Sequence, residues 1–193
     1  CNGPHYGGSS HAGLVNKEML KDMKDIGFTY LDYGLEHWDS KILRNLGKGT
    51  TREANKRCIE WTLESGISPI PNQIIMFPDE DWDTLNTMLD AWEEIKIVSS
   101  PFICTPYPGA EWYIKYKDHI LDQYNGNLES FIIDLEDATK VTALLTKKFT
   151  PVEAVGIQNI MSQAAITGDF DNARRLLAYS RKVKEREMIT QKN

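Results

Sequence analysis

Three stretches of the sequence place polar side chains immediately after an apolar run. They are Tyr33-Gly34-Leu35-Glu36, Met76-Phe77-Pro78-Asp79-Glu80 and Thr105-Pro106-Tyr107-Pro108-Gly109. If the runs are strands of one parallel sheet, their carboxyl ends meet at one edge, where helix N-termini and free backbone amides also converge. The pattern therefore predicts a binding site built from the loops that follow these strands.

Glu36, Lys48 and Asn72 are the side chains best suited to bind a ligand there. Glu36 follows Gly34, which permits a sharp turn, and its carboxylate can accept hydrogen bonds from sugar hydroxyls. Lys48 lies between two glycines, so its ammonium group has the freedom to reach an anion. Each also has an ordinary interpretation: solvated loop side chains for Glu36 and Lys48, and an amide that bonds its own backbone for Asn72. His37 is more typical of a hydrogen-bonded or solvated histidine than of a metal ligand.

The three cysteines, Cys1, Cys58 and Cys104, stand far apart in the sequence. None lies at a metal-ligand spacing from another, and such an odd, scattered set is typical of a reduced cytoplasmic protein rather than a disulfide framework. A first residue other than Met indicates either a processed N-terminus or a fragment of a longer protein. A mature lipoprotein also begins with Cys, but the organisation of the rest of the chain favours the fragment.

Charge and hydropathy argue against nucleic-acid and membrane partners. The formal net charge is -6 and the isoelectric point is near 5.3, whereas nucleic-acid binding needs clustered Lys and Arg. The basic tail over 174–192 is interrupted by Glu185 and Glu187, as in a solvated helix face. No run approaches the roughly 18 apolar residues of a membrane span. We therefore expect neither a nucleic-acid partner nor a membrane span.

Helical and strand patterns alternate along the first half of the chain. Apolar spacing predicts helices over 16–26, 52–64 and 81–95, and dense apolar runs predict strands over 28–33, 72–77 and 97–104. The second strand should begin near Asn72 because Pro69 and Pro71 are excluded from central ladder positions. Such alternation is typical of βα units around a parallel sheet. Three strands cannot close a barrel, so we expect part of one that starts after an earlier strand.

The remainder of the sequence is predicted to be helical. An amphipathic pattern covers 128–145, Thr150-Pro151-Val152-Glu153 is a capping box that starts another helix, and a last helix covers 169–184. We therefore expect a loop over 1–13 that enters from a missing upstream barrel half. The βα core would then occupy 14–115, followed by a helical C-terminal extension over 116–193.

Over 14–113 the ordered motifs resemble the second half of radical S-adenosylmethionine (SAM) domains. The matching residues are Gly27, Tyr33-Gly34-Leu35-Glu36, Ile42-Leu43 with Gly47-Lys48-Gly49-Thr50, Gly66-Ile67, Ile74-Ile75-Met76-Phe77-Pro78-Asp79-Glu80 and Thr105-Pro106-Tyr107-Pro108-Gly109. The resemblance is greatest to members whose full-length chains also carry an N-terminal cobalamin-binding domain. It implies an α/β fold, the C-terminal part of a partial TIM-like (β/α)6 barrel. It also implies an enzyme that reductively cleaves SAM at a [4Fe-4S] cluster to give a 5′-deoxyadenosyl radical, with a cobalamin-dependent methyltransferase as one form.

The resemblance assigns SAM contacts to Glu36, Lys48, Asn72, Met76, Phe77 and Thr105. It places Glu36 at the ribose and Lys48 at the methionine carboxylate of SAM. The family usually has a glycine where Met76 stands, beside adenine, and a serine where His37 stands. The methionine places a flexible, polarizable side chain where the family has backbone room beside adenine.

The family's cluster-binding cysteine triad is absent from this sequence. The resemblance therefore implies that the cluster ligands lie upstream, that the chemistry belongs to a longer parent protein, and that this chain is inactive alone. Its partners would be the upstream half of the same barrel and a small-molecule substrate.

Two other interpretations remain open from the sequence. An unrelated α/β barrel that binds a phosphorylated substrate would need a glycine-rich phosphate loop, for which Pro106-Tyr107-Pro108-Gly109 offers too few free amides. A non-catalytic helical interaction module over 129–184 would be favoured if that region folded alone and bound a protein.

Overall fold

The computed structural model describes residues 5–96, 99–137 and 141–190, and its centre is a parallel sheet. The strands are β1 (Tyr6–Ser10), β2 (Phe28–Glu36), β3 (Ser68–Ile75) and β4 (Phe102–Ile103). They lie side by side in chain order, β1-β2-β3-β4, and every neighbouring pair is parallel. Parallel neighbours require a crossover connection, and helices supply it here.

Four helices connect the strands, and each begins after a residue whose polar side chain caps it. They are α1 (Lys17–Asp25), α2 (Ser40–Asn45), α3 (Arg52–Glu64) and α4 (Trp82–Ile95). Asn16 caps α1 by accepting from the Met19 amide, and Thr51 caps α3. Asp81 caps α4 in a reciprocal capping box. Such caps satisfy amides that have no partner within the helix. The predicted helices over 16–26, 52–64 and 81–95 are confirmed by α1, α3 and α4.

The C-terminal part is the predicted helical extension. It contains α5 (Glu111–Lys115), α6 (Lys117–Asp122), α7 (Leu128–Leu135), α8 (Pro151–Thr167) and α9 (Phe170–Thr190). The capping box at Thr150 and Glu153 starts α8 as expected. Along the described parts of the chain, no helix combines the length and apolar character needed to cross a membrane.

β1 is the main departure from the sequence prediction, because a loop was expected over 1–13. Its sequence, Tyr-Gly-Gly-Ser-Ser, has no apolar alternation, and its pairing with β2 holds it in the sheet. At Gly7 a Cβ atom would overlap the Tyr30 ring of the neighbouring strand. Glycine at this position lets the Tyr30 ring lie directly over β1, so the glycines that suggested a loop belong to a strand.

β3 begins earlier than predicted and contains both prolines. Pro69 and Pro71 pair with Leu31 and Tyr33 of β2, whereas β4 pairs only with Ile74 and Ile75 at the end of β3. Among the described residues, the edge of β3 away from β2 therefore has no ladder partner beside the prolines. A residue without an amide hydrogen is tolerated at such an edge.

Two predicted elements are shorter than expected. The strand over 97–104 is reduced to β4, and residues 97–98 lie outside the described residues. The helix over 128–145 ends at Leu135, and residues 138–140 also lie outside. Beyond them Ala143, Leu144 and Leu145 are buried in succession, and Leu144 and Leu145 enter different apolar clusters. Successive burial of this kind does not follow the period of a helix with one apolar face.

The two faces of the sheet differ in how completely they are covered. On the face toward the helices, Leu31, Tyr33 and Leu35 are at most 1% exposed and belong to the main core. On the other face, called the open face below, Tyr30 and Ile70 are each 42% exposed. Side chains alternate between the two faces along a strand, so Gly34 and Asn72 also lie on the open face.

Candidate functional site

Glu36 and Lys48 form an ion pair over the open face at the carboxyl end of β2. Lys48 Nζ donates to Glu36 Oε1, and the side chains are 45% and 10% exposed, respectively. A Cβ atom on Gly34 would lie 2.8 Å from Glu36 Oε1 and 3.2 Å from Lys48 Nζ. Gly34 is therefore the residue that leaves room for the pair. Glu36 itself has a φ of 63°, a left-handed conformation that turns its side chain back over the strand.

The structure brings Asn72 to the same place. Asn72 is the register partner of Gly34 on the adjacent strand, and it is half-buried. Register partners in a parallel pair share a face, so Asn72 lies on the face of the sheet that carries the ion pair of Glu36 and Lys48. His11, which follows β1, contacts the backbone carbonyl of Lys48 through Nε2 at 3.1 Å. Three of the predicted site residues thus meet at one point of the strand-end edge.

Asn55 holds the turn that carries Glu36, a role that the sequence did not reveal. Its side chain is fully buried on α3, and Nδ2 donates to the carbonyls of Leu35 and His37 at 3.0 and 3.2 Å. Its Oδ1 accepts from the Thr50 hydroxyl at 2.8 Å. The backbone on both sides of Glu36 is therefore tied to a helix. An asparagine within an amphipathic helix gives no signal for this contact.

Met76 and Phe77, the predicted adenine neighbours, are buried by protein. Met76 is 0% exposed and its side chain belongs to the main core, so only its backbone faces the strand-end edge. Its φ of 68° is one that glycine adopts without strain, which explains why a glycine suits this position. Phe77 is 2% exposed and packs in a second cluster that includes Ile120 and Phe131. Thr105 is half-buried after β4, and its hydroxyl donates to the Ile103 carbonyl at 3.3 Å.

Cys104 indicates that the ends of three strands converge. Burial raises the pKa of its thiol to about 12, and the nearby carboxylates of Glu80 and Glu36 act in the same direction. Cys104 follows β4, Glu80 lies shortly after β3, and Glu36 is the last residue of β2. Cys104 is therefore a protonated, buried thiol rather than a reactive thiolate.

His37 and Glu80 lie behind this edge, and both are fully buried. His37 Nδ1 accepts from the Asp39 amide at 2.9 Å, and its Nε2 lies 3.4 Å from Glu80 Oε1. The sequence prediction of a hydrogen-bonded histidine is consistent with the Asp39 contact. The pairing with Glu80 was missed, although both residues belong to strand-end motifs that were recognised.

A cavity of about 200 Å³ lies on the far side of Phe77. Asp79 lines it, and its carboxylate accepts from Lys41 at 3.0 Å and from Asn45 at 2.5 Å. The hydrogen bond from Lys41 holds the pKa of Asp79 below its usual range. Two neighbouring side chains, Lys41 and Asn45, therefore already hold this carboxylate.

The donor set at the strand-end edge fits SAM in its polar parts. Glu36 can accept from hydroxyl groups, Lys48 can bind a carboxylate, and Gly34 leaves space beside them. Within 5–96, 99–137 and 141–190, no group of three or more His, Cys, Asp or Glu side chains is placed to hold a metal ion.

Comparison with known proteins agrees with the strand-end motifs. Residues 1–92 match the family model described as the radical SAM superfamily. This match covers 92 of the 193 residues. Part of it lies on β1, where the sequence predicted a loop.

Two curated relatives carry methyltransferase names. An uncharacterized methyltransferase of Pyrococcus horikoshii is 28% identical over 115 residues, which are 58% of this chain and 25% of the relative. The hopanoid C-3 methylase of Methylococcus capsulatus is 27% identical over 137 residues, which are 70% of this chain and 25% of the relative. The matched part of the chain thus spans about a quarter of the length of each relative.

A solved structure supports the fold. Elp3 of Methanocaldococcus infernus, in a form with an N-terminal deletion, superposes with a TM-score of 0.50 at 14% identity. The match covers 58% of this chain and 27% of the Elp3 chain. Together with the parallel sheet and its alternating helices, this likeness confirms the predicted fold class, parallel βα units from the C-terminal part of a partial TIM-like barrel followed by a helical extension.

Proposed function

We propose that this chain is the C-terminal part of the catalytic barrel of a radical SAM enzyme, and that its strand-end edge binds SAM. The observation that carries the proposal is the buried Glu36 carboxylate, paired with Lys48 over Gly34 on the open face of the sheet. In a parallel α/β barrel this is the end at which ligands bind. The match of residues 1–92 to the superfamily model makes SAM the ligand to expect.

Glu36 and Lys48 have separate tasks in this proposal. Glu36 accepts hydrogen bonds from the ribose hydroxyls, which are uncharged donors. Lys48 moves away from Glu36 and binds the carboxylate of SAM. Asn72 completes the polar rim, and the backbone at Met76 faces adenine. When bound upstream of this chain, the [4Fe-4S] cluster supplies the electron that cleaves the sulfonium of SAM.

Methyl transfer to a small molecule is the reaction that we propose for the parent protein. The names of the two curated relatives support it. The family resemblance supports cobalamin as a second cofactor. The scattered cysteines support a cytoplasmic location. The upstream half of the barrel would cover the open face, where Tyr30 and Ile70 are now exposed.

Glu36→Ala tests the proposal in the protein that contains this chain together with its upstream segment. Loss of a charge-assisted pair of hydrogen bonds should weaken SAM binding about 10- to 100-fold, equivalent to roughly 1.5–3 kcal/mol. The free energy of unfolding should change by less than about 1 kcal/mol, because the freed Lys48 can return to water. Equilibrium dialysis of SAM and chemical denaturation measure the two quantities.

Glu64→Ala is the matched control. Glu64 also pairs with a lysine, Lys17, at 2.6 Å, but it is 59% exposed and lies at the end of α3. Its removal should leave SAM affinity unchanged. Equal affinity in the parent protein and the Glu36→Ala variant would exclude Glu36 as the ribose ligand.

A further inference from the structure

His37 and Glu80 connect the ends of β2 and β3 from behind the binding edge. We propose that they form a buried brace that positions Glu36 and the Met76 backbone for the nucleoside part of SAM. The inference rests on the proposed function, but it assigns a role to two residues that do not touch the ligand themselves. They are positioning residues rather than catalytic ones.

The histidine contributes a defined proton. Because the Asp39 amide donates to His37 Nδ1 at 2.9 Å, Nδ1 is the acceptor and the proton of the neutral ring is on Nε2. Nε2 faces Glu80 Oε1 at 3.4 Å, and both side chains are fully shielded from water. A buried N–H group beside a buried carboxylate is a strong donor and acceptor combination.

The glutamate is itself held by two further contacts. Glu80 Oε2 accepts from the Met76 amide at 3.0 Å, and Oε1 accepts from the hydroxyl of Thr84 on α4. The carboxylate therefore joins the end of β3 to the first turn of α4. The carboxylate also lies against His37, the residue that follows Glu36 in the chain. One buried side chain thus links two strand ends and a helix.

The backbone at both strand ends needs such support. Glu36 and Met76 have φ values of 63° and 68°, and neither is glycine. Left-handed backbone in residues with a Cβ costs about 1 kcal/mol or more each and persists only where the surroundings enforce it. Glu36 is joined to His37 by a peptide bond, and the Met76 amide donates a hydrogen bond to Glu80. The brace contacts the two strained positions directly.

The contact between His37 and Glu80 is not yet a hydrogen bond. His37 Nε2 is among the buried polar atoms without a hydrogen-bond partner, although Glu80 Oε1 is only 3.4 Å away. Hydrogen bonds in binding sites are often long or misaligned before the ligand is bound and tighten in the complex. We infer that SAM binding draws the two strand ends together and closes this bond.

A pair of substitutions separates the two contacts of the histidine. In His37→Asn the amide oxygen can replace Nδ1 as the acceptor for Asp39, but the short side chain cannot reach Glu80. In His37→Gln the longer amide can donate to Glu80. In the protein with its upstream segment, His37→Asn should weaken SAM binding about 10-fold, whereas His37→Gln should stay within about threefold of the parent.

Tyr33→Phe is the control for general destabilisation. It removes another buried hydrogen bond from β2, between Tyr33 Oη and Thr62 Oγ1 at 2.8 Å, on the face away from the ligand. It should lower the melting temperature while leaving SAM affinity unchanged. Equilibrium dialysis and thermal denaturation of all three variants give both readouts.

The outcomes distinguish this inference from the proposed function. If Glu36→Ala weakens SAM binding and His37→Asn does not, the brace is wrong and the Glu36 assignment stands. Equal losses of affinity in His37→Asn, His37→Gln and Tyr33→Phe would also overturn the brace, because affinity would then follow stability alone. If His37→Asn weakens binding and Glu36→Ala does not, the ribose assignment fails and the brace acts through Met76.

Discussion

Two of the regions in which charged groups meet differ sharply in burial. At the strand-end edge Glu36, His37 and Glu80 are at most 8% exposed. Along the contact between α4 and α9, called the α4–α9 seam below, Arg174 bonds Asp90 and Glu93 at 2.7 and 2.6 Å, and these carboxylates are 59% and 54% exposed.

The difference indicates what each region is for. Burying a carboxylate costs free energy that only hydrogen-bonding or oppositely charged partners offset. A buried carboxylate is therefore expected mainly where it has a functional or structural role. Exposed ion pairs cost little and contribute little, which suits the attachment of one helix to another. The burial of its carboxylates is what we expect of the proposed binding site at the strand-end edge, whereas the exposed pairs of the α4–α9 seam are typical of a structural contact.

The largest effect on stability is expected from Glu80→Ala. It leaves the buried Met76 amide without an acceptor, and an unsatisfied buried donor costs about 1–3 kcal/mol, to which loss of the Thr84 contact adds. We expect the free energy of unfolding to fall by about 2–3 kcal/mol. Chemical denaturation measures it.

Glu93→Ala is the counterpart in the α4–α9 seam. It removes an exposed carboxylate that accepts from Arg174, so the loss should stay below about 1 kcal/mol. If the two variants lost the same free energy, the distinction between the regions would not hold.

Arg174→Met is expected to have an intermediate effect. Its guanidinium is 27% exposed and contacts Asp90, Glu93 and, at 3.4 Å, Asp171. Methionine keeps the apolar stem, so the loss of about 0.5–1 kcal/mol should reflect charge alone and shrink in 1 M salt. Denaturation at low and high salt measures both effects.

The neighbouring Arg175→Met controls for the loss of one positive charge. Arg175 is exposed, and no ion pair joins it to the described residues. It should unfold like the parent protein at both salt concentrations. A loss for Arg174→Met that is independent of salt would mean that packing, not charge, holds α9 at this point.

Local signals were enough to predict where α1, α4 and α8 begin, but not where the strands begin and end. Asn16, Asp81 and Thr150 mark helix starts within a few residues, because a cap acts on amides next to it in the chain. β1 depends on β2 to form its hydrogen bonds, and the prolines of β3 depend on how far β4 extends. Contacts of that kind cannot be read from a local pattern.

The site was predictable to a similar extent. The motif resemblance selected Glu36, Lys48 and Asn72, which the structure brings together at Gly34. It could not show that the Met76 side chain enters the core, since the direction depends on a positive φ. Nor could it find Asn55, which lies on α3, 20 residues after Leu35 in the chain. Its amide bonds the carbonyls of the residues on either side of Glu36.

Glu153→Gln should have the smallest effect, and pH should reveal its origin. Burial alone would raise the pKa of Glu153, but hydrogen bonds from Lys184 and from the Thr150 amide outweigh it, so the pKa lies below its usual value. A depressed carboxylate pKa stabilises the fold above the unfolded value, about 4.3, and this contribution is lost as pH falls through the folded value. Glutamine keeps the capping oxygen and removes only the charge.

The variant should therefore be about 0.5 kcal/mol less stable than the parent near pH 7, and the gap should narrow below about pH 4 and close at lower pH. Melting curves at pH 7, 5, 4 and 3 test this, with Glu187→Gln as the control because Glu187 is exposed on α9. A gap that persisted at pH 3 would show that the amide substitution disturbs the cap itself. In that case the bond between Lys184 and Glu153 would not be what attaches α9 to α8, and the shared apolar residues Ala154 and Leu177 would account for the contact alone.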